Sequence, residues 1–327
     1  MRPRIGISIG DVAGIGPEVV LGALRQPLPG GAVPVIFGSI EALRREVELL
    51  GSGPSAEFVD RLEVVERMDR SARPESPTVV DLVDGVSIGE VAKGESSPQA
   101  ARLQGRAFER AVRAARAGEV DAVVTAPWNK SAFELIGEPP VGHTDRLDAW
   151  FPDASAVMML AGPRLRVSLA TTHVAVDAVR RELSEERLRR TVETTIEGLE
   201  RRFGLESPSV AVCGLNPHAG ESGTMGTAEG EMIGPVLGDL HGELADDASV
   251  DGPFPADTLF ARYRDGGAPW DAVVCMYHDQ GLIPLKLLHF GESANVTLGL
   301  PIVRTSVDHG TAYDIAGEGR ADPGSMR

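Results

Sequence analysis

Short apolar runs alternate along this chain with longer stretches in which apolar residues recur every third or fourth position. The runs Ile5–Ile9, Val33–Phe37, Phe58–Val65, Thr78–Val80, Ala122–Thr125, Ala156–Leu160, Leu165–Ala170, Val210–Cys213 and Ala272–Met276 read as strands. Between them lie helix signals. Pro17 and Glu18 open one helix, and a second runs to Leu50. A long helix from Pro98 to Ala117 has Ser97 as its cap, Gly118 as its stop, and an inward stripe of Phe108, Ala111, Val112 and Ala115. Another starts at Ser184, stops at Gly204, and turns Leu188, Val192, Thr195 and Leu199 inward. A further helix begins near Glu229, and Gly252–Thr258 is a proline-stiffened approach to a short one. Strands alternating with helices predict a mostly parallel α/β fold in two lobes.

Several apolar runs end in a polar cluster, and the stretch Asp271–Asp314 holds the densest set. Its strand delivers Tyr277, His278, Asp279 and Gln280; Lys286 follows, then Asn295 before a second apolar run, then Arg304 directly after a third, Pro301–Val303. The C-terminal ends of strands are where open α/β sheets bind ligands. The turn Gly10–Pro17 fits either a phosphate cradle at a helix N-terminus or a tight structural turn, and it lacks the G-x-G-x-x-G spacing. Gly137–His143 contains Pro-Pro and reads as a crossing between subdomains, with His143, Thr144 and Asp145 at its end.

The 327 residues suffice for one large domain or two moderate ones, and 42% hydrophobic content is ordinary for a globular chain. A net charge of −16 argues against nucleic acid or an anionic membrane as partner, while a few cations focused at one place still suit an anionic small molecule. Of 32 basic residues only Lys93, Lys130 and Lys286 are lysines, so each is a candidate for a position that wants a compact ammonium. Cys213 and Cys275 sit in apolar runs and read as packing residues in a reducing compartment. With no long apolar segment at the start, the expected location is cytoplasmic.

Of the seven histidines, His173, His218 and His278 share an address a few residues beyond an apolar strand. A lone histidine there is usually a hydrogen-bonded structural residue; three at equivalent ends point to a shared divalent ion. Three imidazoles without a thiolate leave coordination positions open, as a catalytic ion requires. Beside Lys286, Asn295 and Arg304, such an ion suits oxidation of a secondary alcohol on a phosphorylated or carboxylated substrate. A nicotinamide cofactor does not follow from any spacing in the chain. His241 and His289 read as surface or packing residues, His309 as support for the site, and Lys130 as a catalytic, cofactor-facing or helix-start residue.

At these residues the chain resembles the NAD(P)-dependent 4-hydroxythreonine-4-phosphate dehydrogenases of vitamin B6 synthesis. The resemblance rests on GDVAGIGPE at 10–18, TAPWNK at 125–130, GHTD at 142–145, GLNPHAGE at 214–221, GPFPADT at 252–258, YHDQG at 277–281 and NVTLGLPIVRTSVDHGTA at 295–312. It implies His173, His218 and His278 as ligands of a divalent ion (zinc, magnesium or cobalt) shared across a homodimer interface, and His143, Thr144, Lys286, Asn295 and Arg304 as the substrate set. It also implies NAD or NADP as cofactor, while leaving the catalytic acid and base unassigned. The implied fold is two α/β/α lobes like those of isocitrate and isopropylmalate dehydrogenases, with the active site in the interlobe cleft. Residues 1–136 and 308–327 would form the first lobe, and 137–307 the second, carrying the metal ligands and dimer contacts. Val12 stands where the family motif has proline, and the sequence stops at Arg327, short of the closing helix usual in the family, so its C-terminal packing is expected to differ.

Three other readings stand beside this one. A relative with the same machinery would act on a four-carbon sugar acid 4-phosphate or a cis-dihydrodiol carboxylate, with His143, Thr144 and Gly220–Gly230 as discriminating residues. A zinc hydrolase would turn over without NAD, and a non-catalytic binding protein would not turn over at all.

Overall fold

The computed structural model describes residues 2–51, 53–68, 75–82, 87–244 and 247–327. Its contacts divide the chain into two units, Met1–Pro152 with Pro301–Arg327, and Asp153–Leu300. The first unit contains β1 (Arg4–Ser8), β2 (Val33–Gly38), β3 (Glu63–Val65), β4 (Thr78–Asp81) and β5 (Ala122–Thr125). The second holds β6 (Val157–Ala161), β7 (Arg166–Leu169), β8 (Ser209–Cys213), β9 (Ser249–Phe254), β10 (Ala272–Cys275) and β11 (Ala294–Leu298), and the chain then returns to the first as β12 (Val303–Ser306).

In the first unit the strand order is β3-β4-β2-β1-β5-β12, and every one of these neighbours pairs parallel. Parallel strands joined through helices are covered on both faces, which is why all residues of β2 are buried. The helix Pro98–Arg116 supplies part of that cover. Ser97 Oγ accepts the N–H of Ala100 at 3.1 Å, Pro98 takes the first position, and Arg113 and Arg116 lie in the last turn. Leu103, Ala107, Phe108 and Ala111 are buried along its inner face. The C-terminal residues pack on the helix Gly16–Ala23: Glu18 Oε1 accepts the N–H of Ala321 at 2.8 Å, Arg327 donates to the Gly22 carbonyl at 3.3 Å, and Met326 is buried.

In the second unit the order is β11-β6-β7-β10-β8-β9. The β7, β10, β8 and β9 neighbours are parallel, whereas β6 runs antiparallel to both β7 and β11. Glu185–Phe203 is the helix that its caps foretell. Ser184 Oγ accepts from Arg187 N–H at 3.2 Å, and Gly204, at φ 71°, donates to the Glu200 and Leu199 carbonyls. Leu188, Val192 and Leu199 join Val210, Val212 and Val274 in the core of this unit.

Several expectations change. Phe58–Val65 is not one strand: Pro54–Asp60 is a helix opened by its proline, with Phe58 and Val59 buried from it, and only Glu63–Val65 is extended. Arg304 lies inside β12 and Asn295 inside β11, so neither hangs beyond a strand. By contacts the units divide at 152/153 and 300/301. Residues 137–152 stay with the first unit because His143 and Trp150 pack on Phe108, with ring centroids 4.5 and 5.4 Å away. Among the described residues no helix is long and apolar enough to cross a membrane.

Candidate active site

Three strand ends of the second unit carry the histidines. Beyond β7, Ala170 and Thr171 continue the ladder, donating their N–H groups to the Cys275 and Met276 carbonyls at 2.8 and 3.2 Å, and Thr171 Oγ1 donates to Met276 O at 2.7 Å. This extension sets His173 beside His278, with ring centroids 5.8 Å apart. Two imidazoles sharing an ion through bonds of about 2.1 Å hold their centroids roughly 5–6.5 Å apart, so the pair fits a divalent ion. His278 opens the helix His278–His289, and its Nδ1 lies 2.7 Å from Asp279 Oδ1. A carboxylate on Nδ1 fixes the tautomer that leaves the Nε2 lone pair for a metal.

The loop after β8 is tied to the same place. Gln280 accepts the Met276 N–H and donates to the Gly214 carbonyl, both at 2.7 Å. Asn216 donates to Glu229 through its N–H at 2.7 Å and its amide at 2.9 Å. Burial would raise the Glu229 carboxyl, but these bonds, with the N–H groups of Glu229 and Leu215, outweigh it and hold the pKa below the ordinary value. Residues 218–222 then run consecutively left-handed, with φ between 42° and 80°, although Gly220 is the only glycine among them. A Cβ at Gly220 would lie 2.6 Å from Glu229 Oε2. Left-handed backbone costs each of the other four residues roughly 1–2 kcal/mol, and strain of this kind concentrates where function requires it. His218 is the first of the five and is exposed.

Among the described residues no group of three or more His, Cys, Asp and Glu side chains is arranged to hold a metal. One chain therefore brings His173 and His278 together and does not bring His218 to them. Lys286 lies two turns along the helix from His278, and Asn295 presents a buried Oδ1 with no partner among the described residues.

His143, Thr144 and Arg304 belong to the first unit. His143 and Thr144 open the helix His143–Trp150, where Asp145 Oδ2 accepts the Gly142 N–H at 2.9 Å. The His143 ring lies against Phe108 and Trp128, with centroids 4.5 and 4.4 Å away, and its buried Nε2 has no partner among the described residues. Burial, then the charges of Arg304 and Arg146, push its pKa well below the ordinary histidine value. Arg304 is 2% exposed and donates from Nη2 to Thr125 Oγ1 at 2.8 Å. Burial lowers its pKa to about 9, which leaves it a cation at neutral pH. A neutral imidazole beside a buried guanidinium suits a phosphate or carboxylate.

Protonation of His143 in the unfolded chain alone should make stability fall below pH 6.5, by up to about 1.4 kcal/mol per pH unit, until the folded-state value is reached. Urea midpoints at several pH values should show this slope, and His143→Gln should remove it. An unchanged slope in the variant would mean that the ring is not held neutral.

A further network lies in the first unit. Tyr313 OH donates to buried Asp11 at 2.6 Å and accepts from Asn129 Nδ2 at 2.6 Å. Burial raises Asp11 above the usual carboxylate range, and burial with the nearby Asp11 charge pushes Tyr313 up to about 12. The network joins two of the sequence motifs, through Asp11 and Asn129, to Tyr313, the residue that directly follows a third, and nothing local to any of the three pairs it with the others. Lys130 is exposed, and His289 is buried against Gly162.

The family model described as pyridoxal phosphate biosynthetic protein PdxA matches residues 31–327. The chain belongs to this family. A relative from Desulfosudis oleivorans, named 4-hydroxythreonine-4-phosphate dehydrogenase, is 43% identical over 99% of this chain and 93% of its own. The crystal structure of the Klebsiella pneumoniae enzyme of that name is 36% identical, with TM-score 0.82 over 100% of this chain and 95% of that one. A terephthalate 1,2-cis-dihydrodiol dehydrogenase from Burkholderia xenovorans is similar at 29% identity and TM-score 0.66, covering 100% of this chain and 96% of its own. These PdxA-like structures share the α/β architecture with its mostly parallel strands. Relatives that are dehydrogenases imply a nicotinamide cofactor.

Proposed function

We propose that this PdxA-family chain carries out the NAD(P)-dependent oxidation of 4-phosphooxy-L-threonine to 2-amino-3-oxo-4-phosphooxybutanoate, with loss of carbon dioxide to give 3-amino-2-oxopropyl phosphate. The observation that carries the reading is the pairing of His173 with His278 at the ends of adjacent parallel strands, in a chain whose relatives bear that enzyme's name. In this reading a divalent ion held by His173, His278 and a His218 would supply a Lewis acid for the substrate hydroxyl. Asp279 keeps the His278 ring in its ligating tautomer. Arg304 supplies a fixed cation for the substrate's anionic group, and His143, kept neutral, offers its ring nitrogen beside it. Thr144, Lys286 and Asn295 complete the substrate set.

A homodimer accounts for the His218 that one chain does not bring to the pair. On the helix that starts at His278, Ile283 and Leu287 are 66% and 84% exposed, and Phe290, just past its end, is 81% exposed. An apolar stripe of this kind seeks cover. Leu287→Glu should shift the protein to monomer in analytical ultracentrifugation and lower activity with it; an active, unchanged dimer would place the interface elsewhere.

The likeness to a cis-dihydrodiol dehydrogenase favours a second reading, a carboxylate without a phosphate. Steady-state rates of reduced nicotinamide formation across phosphorylated and unphosphorylated hydroxy acids separate the two. On the phosphorylated substrate, Arg304→Ala should weaken binding about ten- to a hundredfold, the effect of one charge-assisted hydrogen bond. Unchanged KM and kcat would remove Arg304 from the site.

A further inference from the structure

At the N-terminal ends of β1, β2 and β4 the first unit has a recess of about 410 Å³, lined by Arg2, Arg25 and Arg61 and walled by Leu24, Leu28 and Phe58 among others. None of its lining residues is acidic, in a chain of 48 acidic and 32 basic residues. Each guanidinium is anchored through Nε: Arg2 to the Gly31 carbonyl at 2.9 Å, Arg25 to Ser55 Oγ at 3.2 Å, and Arg61 to the Glu57 carbonyl at 3.1 Å. Among the described residues none of the three has a carboxylate within ion-pair distance, so the terminal nitrogens keep their donors for something else. Glu63 reaches the rim through Ser76, whose hydroxyl donates to its carboxylate at 3.3 Å, and through its own N–H, which donates to the Pro77 carbonyl at 3.0 Å.

Guanidinium forks match the geometry of phosphate oxygens, and a recess of several hundred cubic ångströms with an apolar wall has room for more than an inorganic ion. We propose that this recess binds a small phosphate monoester with an apolar body, at a site separate from the residues that the oxidation uses. Three cations that line one recess, with no carboxylate paired to them among the described residues, repel one another, and a dianion relieves that repulsion. None of His143, Thr144 or Arg304 lines the recess, so its occupancy is distinguishable from substrate binding.

Calorimetric titration with phenyl phosphate tests this on the full chain. The Arg304→Ala protein should still bind the probe, whereas Arg25→Ala/Arg61→Ala should bind it at least about tenfold more weakly at that site while keeping its activity and melting temperature. Single Arg25→Gln and Arg61→Gln variants provide the same comparison if the double variant fails to fold. Inorganic phosphate should bind more weakly than phenyl phosphate, and benzyl alcohol should not bind. No binding by the Arg304→Ala protein at about 10 mM probe, a millimolar-scale limit for a useful site, would overturn the proposal. So would equal affinity with and without the arginines. Inorganic phosphate binding as tightly as phenyl phosphate would overturn the apolar half of it.

Discussion

His278→Ala is expected to lose the divalent ion and, with it, roughly three orders of magnitude in kcat, the several kcal/mol that a Lewis acid contributes to an alcohol oxidation. The variant removes one ring of the pair whose centroids lie 5.8 Å apart, and it leaves the Gln280 bonds that hold the strand end in place. Metal content by elemental analysis should fall together with turnover, and the melting temperature of the metal-free proteins should stay close. Asp279→Asn is the milder companion. It keeps a hydrogen bond to Nδ1 but loses the carboxylate, so metal affinity should drop by about ten- to a hundredfold. Full activity of His278→Ala in metal-free buffer would make the ion incidental.

The second large effect is on stability. Glu46 is 0% exposed and forms an ion pair with Lys93 Nζ at 2.5 Å, and the same ammonium donates to the Gly14 carbonyl at 3.1 Å. Lys93→Met strands a buried carboxylate and should cost about 3–5 kcal/mol. Burial already raises the Glu46 pKa, against the pull of Lys93, so the carboxyl in the variant can escape its penalty by taking up a proton. Because a raised carboxyl favours the folded state below its folded pKa, the loss measured by urea denaturation should be smaller at pH 5 than at pH 8. Lys93→Met/Glu46→Gln should recover much of it. A single-variant cost under about 1 kcal/mol, the level of an exposed pair, would show that the pair is not desolvated.

Lys93 also shows what the sequence could and could not reveal. Its rarity among arginines flagged it, but Lys93 sits in a turn and the carboxylate it serves lies far off in sequence on the helix Ile40–Leu50, so nothing local to Lys93 points to Glu46. Elements with local punctuation were legible: Ser97 and Pro98 opened one long helix, and Ser184 and Gly204 bounded the other. Elements whose local signals conflict with their tertiary setting were not. His278–His289 is helical through Pro284, where only the bond to the Gln280 carbonyl is forgone, and no side-chain cap marks its start. Phe58–Val65 reads as an apolar strand because burial alone does not distinguish strand from helix over so short a run. The antiparallel direction of β6 depends on its pairing with β7 and β11, which no periodicity records. At the site, His173 and His278, which share an address beyond an apolar strand, lie with ring centroids 5.8 Å apart. The burial of Arg304 within β12 was missed, because an arginine beside a short apolar run looks like the start of a loop. The left-handed backbone at His218 was also invisible, since only one of those five residues is a glycine.

Anomalous scattering from crystals of the cobalt-loaded protein tests the central claim most directly. A single strong peak is expected within about 2.0–2.2 Å of ring nitrogens of His173 and His278 and of a His218 supplied by the assembled oligomer. A peak that none of these rings touches, or an assembly in which every His218 stands apart from the His173–His278 pair, would contradict it.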